Sequence, residues 1–491
     1  MKPKFSVVVI ARNEEKTLPR LRLSLEEFFA RGGDAVLLDT GSTDRTVEMA
    51  RHYGFRVEEV GDKYRHTVDQ EQEYIINKQF QVGADEPIVK VGESYFDFAS
   101  ARNYAASLAE NDFIAMPDCD EAYTKLDIDA VEATIAAGAD QLCYPFVYAH
   151  DEDGNPVIEF DHCKFYNRAK MKWTGVIHEV LTGQGTPTKL PGSVIKLEHW
   201  QNVETKRGQY LTGLAIDVLE NPENDRNSHY FGRELMYTGR FESTIKELNR
   251  HIAMNKWPAE RSQSMIYIGD CYRTTGYFDA AIPWYMKAFQ LCPNRREPFM
   301  RMAEYYYQHK DPERLIPLVA AALMVGEPES FYGNLAEYYE HLPHEMMYWA
   351  LWQKGDVRGS RDHFETALGY RPFHPLYLHD LRFYETLPKV LVTGVSTLPE
   401  LVYPEDKVQF GKDAVAAKDG WTLTLEEGST PEPLSLMIAL RTALENTMDM
   451  ITFEGGGAAT LRRNAAEAGK ERTMHCYRAK IIRDTHGSDH S

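Results

Sequence analysis

The chain has 491 residues, enough for about three domains that each bury a core, which excludes a single small module. Hydrophobic residues make up 43% and charged residues 26%, a balance that excludes wholesale disorder. With 74 acidic against 55 basic residues the formal charge is −19, which opposes non-specific attraction to phosphate backbones and anionic membranes.

At the N-terminus, MKPKFSVVVIARNEE carries an apolar run, Val7 to Ala11, too short for a signal peptide. No window approaches the ~18 uninterrupted apolar residues of a membrane span, so no membrane span and a cytoplasmic setting are expected. The six cysteines, Cys119, Cys143, Cys163, Cys271, Cys292 and Cys476, contain no CxxC pair. Free, mostly buried thiols are expected, with neither a disulfide framework nor a thiolate zinc site.

Residues 1–225 begin by alternating β-rich runs with helical patterns, which predicts an α/β domain on a largely parallel sheet. The runs are Phe5 to Ile10, Ala35 to Leu38, Phe55 to Val60 and Phe113 to Met116. Between the second and third, Ser42 is placed to cap a helix with Val47, Ala50 and Tyr53 on one face and Gly54 at its end. Residues 61–97 are polar, of mixed charge and long for a βα connection; a lid or acceptor-side insertion and a solvated excursion are equally open readings. Further strand-like runs at Gln141 to Tyr148, Val157 to Asn167, Gly175 to Leu181 and Val194 to Trp200 predict a more antiparallel, mixed half.

Residues 226–384 change to repeats. FGRELMYTGRFESTIKELNRHI, from Phe231, aligns with IGDCYRTTGYFDAAIPWYMKAF, from Ile268, placing Gly232 on Gly269, Gly239 on Gly276, Phe241 on Phe278 and Ile245 on Ile282. A third unit matches through Ala303, Tyr306 and Ile316, and a fourth through Gly355 and Phe364. Small residues at helix crossings with aromatics between them are what stacked helix pairs require, so the region is similar to tetratricopeptide (TPR) repeats. Residues 385–491 read as a small mixed α/β region, with strand-like LPKVLVTG, helical LSLMIALRTALENTM, a Gly455-Gly456-Gly457 turn and a basic stretch. No function attaches to it.

The polar runs that carry chemistry follow strands. Ala11-Arg12-Asn13-Glu14-Glu15 ends the first, Asp39-Thr40-Gly41-Ser42-Thr43-Asp44 the second and Asp118-Cys119-Asp120-Glu121 the fourth. Ligands of open α/β sheets bind at such strand ends. GxGxxG is missing after the first strand, which argues against a dinucleotide. Asp118 and Asp120, two residues apart, can hold Mg²⁺ or Mn²⁺ beside a diphosphate; Asp127-x-Asp129 and Asp151-x-Asp153 share the spacing but read as solvated turns.

SVVVIARNEE, LLDTGSTDRT, FASARNYAAS and MPDCDE, in that order, resemble the family 2 glycosyltransferases of the GT-A fold. WTGVIHEVL, KLEHW and the later repeats are similar to the branch with SunS-type peptide S-glycosyltransferases and lipopolysaccharide-core transferases. The resemblance covers residues 1 to about 200 and implies a Rossmann-like nucleotide-sugar-binding GT-A domain, hence a metal-dependent inverting enzyme. By position it implies that Ala11, Arg12 and Glu14 border the nucleotide, Asp39 binds base or ribose and Arg102 faces the diphosphate. Asp118 and Asp120 become the DxD metal motif for Mn²⁺ or Mg²⁺, His199 a further ligand and Glu179 the general base, in place of a buried ion-pair role. His178 is a second candidate ligand, and Asn103 orients the start of its helix. The implied partners are a nucleotide-sugar donor and a macromolecular acceptor, protein, peptide or saccharide, with self-association through the repeats. Two alternatives stand beside this: a phage-type transferase acting on hydroxylated DNA bases, and a TPR binding scaffold with an inactive transferase domain.

Overall fold

The computed structural model describes residues 2–150, 156–200, 210–326 and 332–385, and eight strands between 390 and 483. The predicted helix LSLMIALRTALENTM, the Gly455 to Gly457 turn and the Asp151-x-Asp153 pair lie outside the described residues, as does part of the basic stretch. The chain forms two compact units, Met1–Lys256 and Trp257–Ser491.

The first unit runs β1 (Ser6–Ala11), α1 (Leu18–Ser24), α2 (Glu26–Ala30), β2 (Asp34–Asp39), α3 (Thr46–His52), β3 (Arg56–Glu59), β4 (Arg65–Thr67), α4 (Gln70–Phe80), β5 (Ser94–Phe96), α5 (Phe98–Ser107), β6 (Phe113–Ala115), β7 (Glu121–Leu126), α6 (Ile128–Ala136), β8 (Gln141–His150), β9 (Pro156–Asn167), β10 (Met171–Thr174), β11 (Val180–Gly183), β12 (Pro187–Lys189) and β13 (Ile195–His199). The helices α7 (Tyr210–Glu220), α8 (Asp225–Tyr237) and α9 (Phe241–Met254) complete it. The main sheet has the order β3-β2-β1-β6-β9-β8-β13-β7, with β12 beside β8. Strand β1 is buried on both faces: Val7 and Val9 pack with Leu18, Leu21 and Phe28, while Val8 packs with Ala101 and Ala105 of α5. This continuous burial is why SVVVIA reads as one apolar run rather than an alternating one.

Apart from β8 with β13 and with β12, parallel pairing in this sheet is confined to the β3-β2-β1-β6 edge. Beyond it β9 runs antiparallel to both β6 and β8, and β7 antiparallel to β13. The sheet is a curled, mixed half-barrel, which corrects the expected Rossmann-like GT-A domain on a largely parallel sheet. The long β8–β9 hairpin occupies the place where a crossover strand would continue the parallel order. It is bridged by Cys143–Cys163, with Cα atoms 4.2 Å apart, so these two are not the free thiols expected; Cys119, Cys271 and Cys292 are buried and outside any disulfide.

Two local expectations change as well. Gly175 to Glu179 is a loop, with Gly175 at φ +95° and His178 at φ +55°, and β11 starts only at Val180. Helix α3 starts at Thr46 because Asp44 accepts from the Thr46 amide and hydroxyl, whereas Ser42 Oγ accepts from the Asn13 amide. Residues 61–97 form a folded layer instead of a polar excursion. Asp69 and Gln72 close a capping box on α4, and Val68, Ile76, Phe80, Ile88 and Tyr95 pack against Leu211, Leu214 and Ile216 of α7 and Phe231 and Leu235 of α8.

The second unit contains α10 (Pro258–Thr274), α11 (Phe278–Leu291), α12 (Glu297–Gln308), α13 (Pro312–Met324), α14 (His341–Lys354), α15 (Val357–Tyr370) and α16 (Pro375–Glu385). Its strands are β14 (Val390–Thr393), β15 (Val408–Phe410), β16 (Trp421–Leu425), β17 (Ser429–Pro431), β18 (Met450–Phe453), β19 (Ala459–Arg463), β20 (Thr473–Cys476) and β21 (Ile481–Arg483). Six of these form a mixed sheet, β15-β14-β16-β19-β18-β20, and β17 pairs β21. Among the described residues no helix is long and apolar enough to cross a membrane.

Candidate functional site

The helix pairs α8/α9, α10/α11, α12/α13 and α14/α15 are closed by one turn used four times. A left-handed residue precedes the second helix by two positions in each: Gly239 (φ +78°), Gly276 (φ +85°), Lys310 (φ +54°) and Gly355 (φ +81°). In each the next residue donates its amide five residues back, Arg240 to Leu235, Tyr277 to Tyr272, Asp311 to Tyr306 and Asp356 to Leu351. This is the helix-ending bond that a left-handed residue makes possible. Lys310 takes the same conformation without glycine's freedom, which is why the third repeat is fainter in sequence.

The predicted crossings are also present. A Cβ on Gly232 would stand 2.3 Å from Leu248 Cδ2, and one on Gly269 2.5 Å from Tyr285 Cε1. Leu248 and Tyr285 are fully buried. At these two crossings a buried side chain of the partner helix fills the space a Cβ would need.

The residues that resemble a transferase site lie at the strand ends of the first unit, and their bonding is largely internal. Ala11 O accepts from the Thr40 amide and hydroxyl. Asp39 Oδ2 accepts from the amides of Gly41 at 3.1 Å and Ser42 at 3.2 Å, so its buried carboxylate closes its own loop. Arg12 Nη1 donates to Thr40 O at 2.9 Å and to Asp62 Oδ1 at 2.8 Å. Glu14 accepts from the Thr17 hydroxyl. Burial raises the Glu14 pKa against that hydrogen bond, and the charges of Asp120 and Asp118 add to the rise.

Arg102, Asp118 and Glu179 do come together. Arg102 Nη2 donates to Asp118 Oδ1 at 2.7 Å and Nε to Glu179 Oε1 at 2.6 Å. Lys164, which no sequence motif marks, donates to Asp118 Oδ2 at 2.6 Å and to Glu121 Oε1 at 2.5 Å. Burial opposes ionisation of Asp118, but Arg102 and Lys164 outweigh it and hold its pKa far below the carboxylate range. The Lys164 pKa is raised: burial disfavours its charge, and Asp118 and Glu121 overcome that. Both Asp118 oxygens are thus taken by cations, and any divalent ion there would compete with Arg102 and Lys164. Glu179 is one side of a buried ion pair.

Asp120 is separate: it faces His199 Nε2 at 3.1 Å, while His199 Nδ1 lies 3.1 Å from Tyr148 O. Burial lowers the His199 pKa, yet the Asp120 hydrogen bond and charge reverse this and raise it. Among the described residues no group of three or more His, Cys, Asp or Glu is placed to hold a metal ion. Asn103 exchanges two hydrogen bonds with the Trp173 backbone, so it fixes β10 on α5. His178 stacks on Tyr230 with centroids 4.3 Å apart.

One residue with no motif supports this loop. Asp217 on α7, 1% exposed, accepts from Val176 N at 2.8 Å and Ile177 N at 3.1 Å. Burial pushes its pKa up to about 6, the two amides pulling the other way. The available signal was an acidic residue inside the apolar run LTGLAIDVL.

No family model matches the chain. A TPR repeat-containing protein of Synechococcus elongatus is 25% identical over 311 residues, covering 58% of this chain and 66% of that protein. The chain thus spans just under two thirds of that relative's length. Among solved structures, MamA shares 13% identity over 33% of this chain and 86% of that chain at TM-score 0.27. PilW, described as a type IV pilus biogenesis factor, shares 10% over 35% and 74% at TM-score 0.30. YrrB, described as a TPR protein with an unusual peptide-binding site, shares 11% over 36% and 84% at TM-score 0.27. At such TM-scores these likenesses carry no argument, and the repeats rest on the four hairpins themselves. The relative's description, the mixed sheet and the internally paired carboxylates correct the expected family 2 glycosyltransferase, and with it the expected transfer from a nucleotide sugar.

Proposed function

We propose that the chain is a helical-repeat scaffold that binds protein segments, its own copies included, on the faces of its helix pairs. The carrying observation is the turn repeated at Gly239, Gly276, Lys310 and Gly355, each closed by the same amide bond. Stacked helix pairs of this kind present extended surfaces whose residues vary while the backbone repeats. The sheet region, with its carboxylates bonded to neighbouring arginine, lysine and amides, supports the first hairpin through residues 68–95. No divalent ion takes part in this reading, and a cytoplasmic setting belongs to it as a proposal.

An array of extended peptides probed with the full chain, alongside sedimentation equilibrium, tests it. Discrete peptide signals that disappear in Gly269→Phe, which opens the α10/α11 crossing, are expected. Signals unchanged by that substitution, or no signals together with a strictly monomeric chain, would defeat the proposal.

A further inference from the structure

One connection between the helix pairs is oversized. Residues 255–257 lead into α10 and residues 292–296 into α12, whereas residues 325–340 lead into α14. Helix–helix connections usually take about 2–8 residues, and one above about 12–15 is uncommon and often functional. Part of the extra length turns back onto earlier helices. Tyr332, Gly333, Asn334 and Leu335 meet the starts of α10 and α12, the first helices of the second and third hairpins.

The contacts hold this segment by its backbone as well as its side chains. The Tyr332 ring meets Trp257 with centroids 4.4 Å apart, and its hydroxyl donates to Glu260 Oε1 at 2.5 Å. Arg295 Nη2 donates to Gly333 O at 3.4 Å and to Gln263 Oε1 at 2.5 Å. Glu297 Oε1 accepts from Asn334 Nδ2 at 2.9 Å and from the Leu335 amide at 3.2 Å. Gly333 stands at φ +63°, and a Cβ there would come 2.8 Å from Gln263 Oε1, which Arg295 fixes in place. The site therefore selects glycine at that point.

Burial is inverted across this contact. Glu260, Gln263, Arg295 and Glu297 are only 2–5% exposed, whereas Gly333 is exposed and Tyr332, Asn334 and Leu335 are half-buried. A surface segment thus covers buried polar groups, and those groups need either this segment or another that offers the same donors and acceptors. The buried anchor of the connection lies further on, at Tyr338 and Tyr339, where Arg296 donates its amide to the Tyr339 hydroxyl and Nη1 to Tyr338 O.

We propose that the starts of α10 and α12 form a peptide site that the chain fills with its own Tyr332 to Leu335, and that a partner segment of the pattern aromatic-Gly-Asn-aliphatic occupies by displacing them. The tether holds the internal segment at an effective concentration on the order of mM. A chance peptide at lower concentration is thereby excluded, and a partner that presents several such segments is admitted.

This inference rests on the scaffold reading and names the chemistry of one of its ligands. Its test uses the full chain and a fluorescent Tyr-Gly-Asn-Leu-Ala-Glu peptide followed by polarisation. Tyr332→Ser combined with Asn334→Ala removes the internal competitor, and this variant is expected to bind the peptide about tenfold or more tightly than the wild type does. Alanine in place of the peptide's glycine is expected to abolish that binding. Hydrogen exchange on the wild-type chain gives a reading that needs no variant: mM peptide should quicken exchange at the Leu335 amide and leave the amides of α11 unchanged. Should far-UV dichroism show the variant unfolded, exchange alone decides. Equal affinity of the two folded chains, equal affinity of the two peptides, or Leu335 exchange unmoved by peptide overturns the proposal. Array signals that disappear in Gly269→Phe, together with any of those results, would leave the scaffold reading standing without this one.

Discussion

The sheet region and the helical repeats solve the same problem, fixing adjacent elements, by different means. In the sheet region one unrepeated cluster, Arg102, Asp118, Lys164, Glu121 and Glu179, ties α5, β7, β9 and the segments before β7 and β11 through buried charges. Each repeat instead uses a left-handed turn and close helix packing, and the next repeat does so again. Loss of one member unbalances the others: without Lys164, Asp118 keeps Arg102 alone and the buried Glu121 loses the cation it pairs with. Loss of one device in a repeat leaves its other devices, and the other repeats, in place.

The difference predicts a ranking of substitutions. The largest effect falls on Lys164→Met, which leaves Asp118 short of a cation and Glu121 buried without one; breaking such a buried pair costs about 3–5 kcal/mol. Urea unfolding measures it, and a loss below about 1 kcal/mol would mean that the cluster is not what holds these strands.

Next comes Asp217. An acid whose folded pKa is raised, here to about 6, against about 3.9 unfolded, binds its proton more tightly when folded. Its contribution is therefore full below pH ~4 and is lost as the pH climbs through 6. Asp217→Asn keeps an acceptor for the amides of Val176 and Ile177 but cannot ionise. The fall in stability between pH 4 and 7.5 should shrink by about 2–3 kcal/mol in the variant; an unchanged pH profile would place the titration elsewhere.

In the repeats, Gly269→Ala forces a methyl against the Tyr285 ring and should cost about 1–3 kcal/mol, less than the cluster substitution. Thermal unfolding decides whether the crossing at Gly269 is as tight as its geometry. The smallest effect is a gain: Lys310→Gly removes a side chain from a left-handed position and should stabilise by about 1 kcal/mol or less. A loss there would show that Lys310 contributes through its side chain rather than tolerating its backbone.

The repeats were legible because their devices are residue-specific: a left-handed turn selects glycine, and a close crossing selects a small residue. Gly232, Gly239, Gly269 and Gly276 therefore stand in register in the sequence, while Lys310 hides the third turn. The positions of β1, β2, β3 and β6 were legible from their apolar runs, and the more antiparallel, mixed character of the half beyond β6 was expected too, but which strands stand side by side was not, since periodicity marks strands and not their neighbours. Arg102, Asp118 and Glu179 were recognised as belonging together. Their pairing with Lys164 was not foreseen, because a lysine inside Val157 to Asn167 gives no sign that it points inward. The Cys143–Cys163 bridge was hidden for a like reason: it depends on which strands pair.

Helical repeats are often treated as interchangeable cassettes, cut and spliced between their turns. The first hairpin here is not free in that sense. Val82 N donates to Ser243 Oγ, Ser243 N to Asp85 Oδ2, Lys246 Nζ to Gln79 O and Arg240 Nη2 to Pro87 O, so α9 is stitched to the chain that follows α4. Phe80 meets Phe231 edge-on beneath them, with ring centroids 5.2 Å apart. Any natural shuffling of repeat arrays onto this sheet would have had to occur after Met254, or else carry residues 68–95 along. A cut that spares these bonds thus falls one hairpin later than the start of the repeat pattern.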